Sequence, residues 1–213
     1  MTAPFSLIYV PNKLIVHGDA TATANNVLAH ETLFRFAILD DLISAVIFIF
    51  AVMALYRLLS GVNTTHASHM VALALVSAAV GFMNVLNNIA ALTLFRGADF
   101  LAVFDKPQRE ALGMLFLRLH GQGNVINEIF WGLWLFPLGV LVIRSGFLPR
   151  ILGILLIVNG FAYLTTSLTW QLLPTYASVV ERFATIPETG ELWFMLWLVI
   201  KGARVQPLPA ATS

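Results

Sequence analysis

Four long apolar runs decide what this chain can become. They cover roughly residues 36–58 (starting FAILDDLISAVIFIF), 70–95 (starting MVALALVSAAVGF), 122–143 (ending FWGLWLFPLGVLVI) and 149–171 (starting PRILGILLIVNGFAY). Each matches the roughly 20 mostly apolar residues that carry an α-helix across a hydrocarbon core about 30 Å thick. A fifth run, 187–201 (PETGELWFMLWLVIK), has a shorter apolar core and stops sharply at Lys201-Gly202. Lipid offers the backbone no hydrogen-bond partner, so only helices and closed barrels span it. Runs this long lack the alternation of barrel strands. The fold class is therefore all-α, a polytopic transmembrane helix bundle with five spans in this chain. Composition closes the soluble alternative: 59% of the 213 residues are apolar and 11% charged, where soluble domains carry about 25% charge. Twelve basic against eleven acidic residues leave no basic stripe for nucleic acid. With no cysteine present, disulfides, thiol nucleophiles and thiolate metal sites drop out.

The chain reads as one transmembrane helical domain, residues 1–213, with no internal repeat. Residues 1–35 form an outer segment with a short helix over 20–34, for which Asp19 is the expected N-cap. The stretches 59–69 and 144–148 read as short turns, with Gly146 supplying a free φ and Pro149 opening the next helix. Residues 96–110 and 172–186 read as polar connections, and Pro107 as the N1 proline of a helix reaching 143. A helix from 107 to 143 exceeds one crossing, so it is expected to project beyond the surface or to break near Gly121 and Gly123. Residues 202–213 read as a disordered cytoplasmic tail.

Charge sets the orientation. Arg57, Arg144, Arg150, Lys201 and Arg204 lie on or beside the loops 57–69 and 144–150 and the C-terminal tail, and no acid accompanies them. All eleven acids fall at the opposite helix ends and loops. The positive-inside rule places the acid-free set, and with it the C-terminus, in the cytoplasm of a cell whose inner membrane holds the protein. Five spans then put the N-terminus outside, although residues 1–16 carry no signal peptide. The expectation is that the chain begins late, FSLIYV being the stub of a first helix.

The segment from Gly18 to Arg35 (GDATATANNVLAHETLFR), the FWGLWLFPLG of 130–139, the RSGFLPRILG of 144–153 and the GELWFMLWLVIKG of 190–202 are distinctive. Together they resemble the bacterial family catalogued as domain of unknown function 4386. The resemblance implies a six-helix inner-membrane protein whose first helix, ahead of the GDA segment, is missing or truncated here. It implies no activity, cofactor or catalytic residue.

Charged groups in hydrocarbon cost about 2.5–3.5 kcal/mol each on insertion scales, so those inside spans are functional candidates. Asp40, Asp41 and Ser44 lie near the outer end of the first span. Ser77, Gly81, Asn84 and Asn88 recur on one helical face with Asn87 beside it. Arg118, His120, Gln122, Asn124, Asn127 and Glu128 follow; then Asn159, Tyr163, Thr166 and Trp170 on another face; then Glu188 and Glu191. By depth, Asp40, Asp41, Asn84, Asn87, Asn88, Glu128, Thr166 and Glu191 fall in the outer half, and Asn159 sits nearest the middle. The expected site is one hydrated, outward-facing cavity lined by Asp40, Asp41, Asn84, Asn88, His120, Asn124, Glu128, Tyr163 and Glu191. The bland reading competes at each position. Small-xxx-small spacing is usually packing, membrane asparagines mostly bridge helices, and Arg118 is a candidate for a structural ion pair. His17, His30, His66 and His69 read as solvated loop residues, and Trp131, Trp134, Trp193 and Trp197 as packing or belt residues.

Three functions fit. A ligand- or partner-binding accessory role, with a small molecule or a membrane protein as partner besides the bilayer, ranks first. A proton-coupled carrier using Glu128, Asp40 or Asp41 ranks second, weakened by the missing inverted repeat. A metal-dependent hydrolase ranks third. His120 and Glu128 are weak metal candidates without a spaced motif, so no metal or cofactor is assigned and an enzyme is the lesser expectation.

Overall fold

The computed structural model describes residues 5–202, and among these every regular element is helical. A π-helical turn, Phe5–Tyr9, runs into α1 (Val10–Leu14), followed by α2 (Ala20–Ala29), α3 (Glu31–Leu59), α4 (Thr64–Arg96), α5 (Lys106–Leu133), α6 (Leu135–Ser145), α7 (Arg150–Leu172), α8 (Pro174–Ala184) and α9 (Gly190–Lys201). Among the described residues four helices are long and apolar enough to cross a membrane: α3, α4, the run Lys106–Ser145 and α7. A fifth crossing is added if Pro174–Ala184 and Pro187–Lys201, bent by 50° at their junction, count as one span. The outward faces are what lipid would select. Ile47, Phe50, Met83, Phe161 and Ile200 are all exposed, large apolar side chains that lipid would cover.

Local signals explain most boundaries and correct several expectations. Asp19 caps α2, its Oδ1 accepting from the Ala22 amide at 2.8 Å. That helix stops at Ala29 rather than 34, and after a break at His30 the residues from Glu31 already belong to α3. The turn after α3 is short, because Asn63 accepts from the His66 amide at 2.9 Å and α4 starts at Thr64. His66 and His69 therefore stand on the first turns of a helix, not on a loop. Ahead of α5, the Gln108 amide donates to Asp105 Oδ1 at 2.8 Å and the Asp105 amide to Gln108 Oε1 at 3.0 Å. This reciprocal capping box makes Asp105 the N-cap and Pro107 the second helical residue instead of the first. Residues 174–184, expected as a polar connection, form α8. Gly146, at φ 73°, does end α6 in the left-handed region.

The long third span is not broken at its glycines: α5 runs through Gly121 and Gly123, and the irregularity comes at Trp134. The cause is Pro137. A proline has no amide to give the carbonyl four residues back and its ring crowds that carbonyl, so the helix yields one turn upstream.

The chain packs as two compact units, one made of the residues through Ala51 with Val76–Asn127, the other of Val52–Leu75 with the residues from Glu128 onward. In the first, Val10, Leu14, Val27, Phe34, Val85, Leu92, Phe95, Met114 and Leu117 form a buried apolar cluster, and Phe95 lies so close to Gly113 that no β-carbon fits there. The N-terminal stretch joins it through Thr23, whose hydroxyl accepts from the Val16 amide at 2.9 Å and donates to the Asp19 carbonyl at 2.8 Å. In the second unit, the end of α5 and α6 approach α7 backbone to backbone. A β-carbon on Gly132 would stand 2.6 Å from the Gly160 carbonyl oxygen, and one on Gly139 would stand 2.7 Å from that of Gly153. The glycines stand seven apart on both sides of the seam, Gly132 on α5 and Gly139 on α6 against Gly160 and Gly153 on α7. Gly190, at the head of α9, meets the Leu155 carbonyl oxygen in the same way at 2.7 Å.

Candidate functional site

The first unit gathers a polar cluster from three helices. The Glu31–Arg96 ion pair at 3.5 Å sets the start of α3 beside the end of α4. The Thr21 hydroxyl donates to Glu110 at 2.6 Å and ties α2 to the first turns of α5. From that end Asp41 lies about 15 Å down α3 at 1.5 Å per residue. Asn84, Asn88 and His120 come at similar distances along α4 and α5.

Asn84, only 7% exposed, is the hub. Its amide nitrogen donates to the His120 carbonyl and to Asn124 Oδ1, both at 2.9 Å. Asn87 donates back to Asn84 Oδ1 at 3.1 Å. The carboxamide presses directly onto Gly123, where any β-carbon would overlap it. One turn further along, Asn127 donates to the Ser77 carbonyl at 3.2 Å. The face carrying Ser77, Gly81, Asn84 and Asn88 is thus the face that meets α5, and its asparagines do bridge helices.

The neighbours of His120 place one of its ring protons. Its Nδ1 is 3.2 Å from the Asn84 carbonyl oxygen, which can only accept, so Nδ1 carries the proton. Nε2 then presents its lone pair, with the amide nitrogens of Asn88 at 3.4 Å and Asn124 at 3.5 Å facing it. Asp41 Oδ2 stands 3.9 Å from the same Nε2, and Asp41 is hydrogen-bonded by Ser6 of the N-terminal turn. A lone pair already facing two donors is a poor metal ligand. Among the described residues no group of three or more His, Asp or Glu side chains could hold a metal ion.

Of the nine residues expected to line one cavity, Asp41, Asn84, Asn88, His120 and Asn124 come together here. Asp40 belongs to the same unit, but its buried Oδ2 has no partner. Arg118 is exposed, and among the described residues no ion pair involves it. Glu128, Tyr163 and Glu191 fall in the second unit, where Tyr163 hydrogen-bonds Glu191. Thr166 donates to Glu188 at 3.1 Å beside them. Sequence reasoning passed over Ser6, for which no signal existed, and left Glu188 and Thr166 off the site, although their helical phase with Glu191 and Tyr163 was visible. Two apolar recesses in the second unit enclose none of these residues. One, of about 280 Å³, lies between Ala162, Thr165, Val179 and Phe183; the other, of about 520 Å³, lies between His66, His69, Phe136 and Pro137.

Comparison with known proteins adds location in sequence space. An uncharacterized protein of Archaeoglobus fulgidus is 32% identical over 80 residues, which is 38% of this chain and 46% of that protein. The chain thus spans about half the length of the curated relative it matches. No solved structure matches it. The family model described as Domain of unknown function (DUF4386) matches residues 1–202, and the chain belongs to that family.

Proposed function

We propose that this is a multi-pass cell-membrane protein, with its C-terminus in the cytoplasm, that binds a small polar ligand or a membrane-protein partner through the cluster around His120. The role is accessory rather than catalytic. The carrying observation is the composition of that cluster. Amides, one imidazole and one carboxylate are recognition groups, and the imidazole Nε2 that a general base would use already faces the amide nitrogens of Asn88 and Asn124. Orientation is supported by Arg57, Arg144, Arg150 and Lys201, which all sit in first or last turns at the acid-free helix ends. The cluster then faces outward. Because the chain has no cysteine, Asn124→Cys can be probed alone with a charged, membrane-impermeant methanethiosulfonate on intact cells. Modification is expected. A thiol that reacts only after unfolding makes the cluster a dry helix bridge and ends the binding reading. Solute flux in proteoliposomes that Asp41→Asn abolishes would replace binding by transport.

A further inference from the structure

We infer that the recess of about 520 Å³ between the first turns of α4 and α6 binds one anionic glycerophospholipid, its acyl chain on the apolar walls and its phosphate at the histidine end. The inference uses none of the His120 cluster and lies wholly within the second unit. It takes from the preceding reading only the placement of these helices in a membrane. The two walls match in length and in polarity. On α4, His66, His69 and Leu73 stand at i, i+3 and i+7, one helical face covering about 10 Å of the axis. On α6, Phe136 and Val140 line the recess. Arg144 continues their face one turn further, in the last turn of that helix.

Successive spans run in opposite directions, so the start of α4 and the end of α6 stand at the same membrane face. One end of the recess is therefore basic and at headgroup level, and the Leu73–Phe136 end is apolar and deeper. That gradient is the shape of an amphiphile. The deep wall is preformed, because the Phe136 ring is fixed edge-on against Phe161 of α7 with 4.9 Å between centroids. The volume falls within the range of about 300–1,000 Å³ usual for small-molecule sites. Ala72 and His69 on its border are exposed, so the recess opens sideways, where a lipid enters from the bilayer.

Charge selects the headgroup. No acid occurs between Asp41 and Asp99 or between Glu128 and Glu181. Neither α4, nor α6, nor the turns beside them can thus offer a carboxylate to the ammonium of a zwitterionic lipid. Arg144 is exposed, and among the described residues no ion pair involves it. The His66 ring is held in place, its Nδ1 3.0 Å from Asn63 Oδ1, which also accepts from the His66 amide. Nε2 is then the ring nitrogen that a phosphate oxygen can meet, and a doubly protonated imidazole donates from both nitrogens. Basic pockets between membrane helices recognise anionic headgroups in this way.

The test is native mass spectrometry of the detergent-purified full chain with dioleoylphosphatidylglycerol or dioleoylphosphatidylcholine added at equal concentration. One saturable phosphatidylglycerol adduct is expected, at least fivefold above that of phosphatidylcholine. His69→Ala combined with Arg144→Gln should cut this preference below twofold, and Val140→Trp should fill the recess and abolish the adduct. Arg118→Gln, at an exposed arginine of the first unit, should leave it unchanged. Should Val140→Trp fail to fold, the double variant of exposed residues decides. Equal adducts of the two lipids overturn the proposal, as does a preference that survives the double variant or falls equally in Arg118→Gln. An adduct that a folded Val140→Trp retains also overturns it. Displacement of the lipid by inorganic phosphate at the same concentration would do so in favour of a free anion. None of these outcomes touches Asn124→Cys labelling, so the two readings fail separately.

Discussion

Asn84 and Gly123 are a lock and its keyhole. The carboxamide occupies the space that any side chain at 123 would need, and there it makes two donor bonds to α5. Asn84→Ala should destabilise the protein by about 1–3 kcal/mol, the cost of leaving buried partners unsatisfied. Gly123→Ala should do so by overpacking, again at about 1–3 kcal/mol. The double variant should cost clearly less than the sum, because the smaller residue at 84 vacates the space the new methyl takes. Unfolding of the three variants in detergent measures this coupling, and additive losses would contradict the interlock. The sequence showed an asparagine face on one helix and a glycine on another. It could not show that they meet, since that depends on how each helix is rotated about its own axis.

Elements here are held by two different devices. The ends are set by local chemistry: Asp19, Asn63 and the Asp105–Gln108 box satisfy amides that helix starts leave free. Those signals are short and legible in sequence, since Asp19, Asn63 and Asp105 each stand directly ahead of a helix whose first amides need an acceptor. The middle of the helix pair in the second unit is set by backbone contact through Gly132, Gly139, Gly153 and Gly160. Gly153→Ala puts a methyl 2.6 Å from the Gly139 carbonyl oxygen, and should lower stability by about 1–3 kcal/mol. Gly61→Ala, with nothing within 4 Å, should change it little. Equal melting temperatures for the two alanine variants would show that the seam does not depend on close approach. Glycine read as a helix breaker was the wrong principle at Gly121 and Gly123. In a membrane helix the backbone has no water to turn to, and it stays helical until a proline forces otherwise.

At the scale of the molecule the orientation is the prediction most exposed to refutation. Thr64→Cys, at the start of α4, should resist an impermeant maleimide on intact cells and react once they are permeabilised. Asp99→Cys should react at once, and the reverse pattern would invert the topology. What the sequence determined by itself was the class of the fold and its long spans. Apolar length is a one-dimensional property, and lipid leaves the backbone a single open-chain solution. The shared face of Ser77, Gly81, Asn84 and Asn88 was also legible, because helical phase follows from spacing alone. What only the tertiary structure decided was which faces touch. It put Asp41, Asn84 and Asn88 around His120 and filled that imidazole's lone pair. It drew Glu188 and Thr166 to Glu191 and Tyr163, and it left Asn159 buried without a partner. Those outcomes rest on the rotation and vertical register of each helix against its neighbours. Glycine contacts and caps tens of residues apart in the chain fix both.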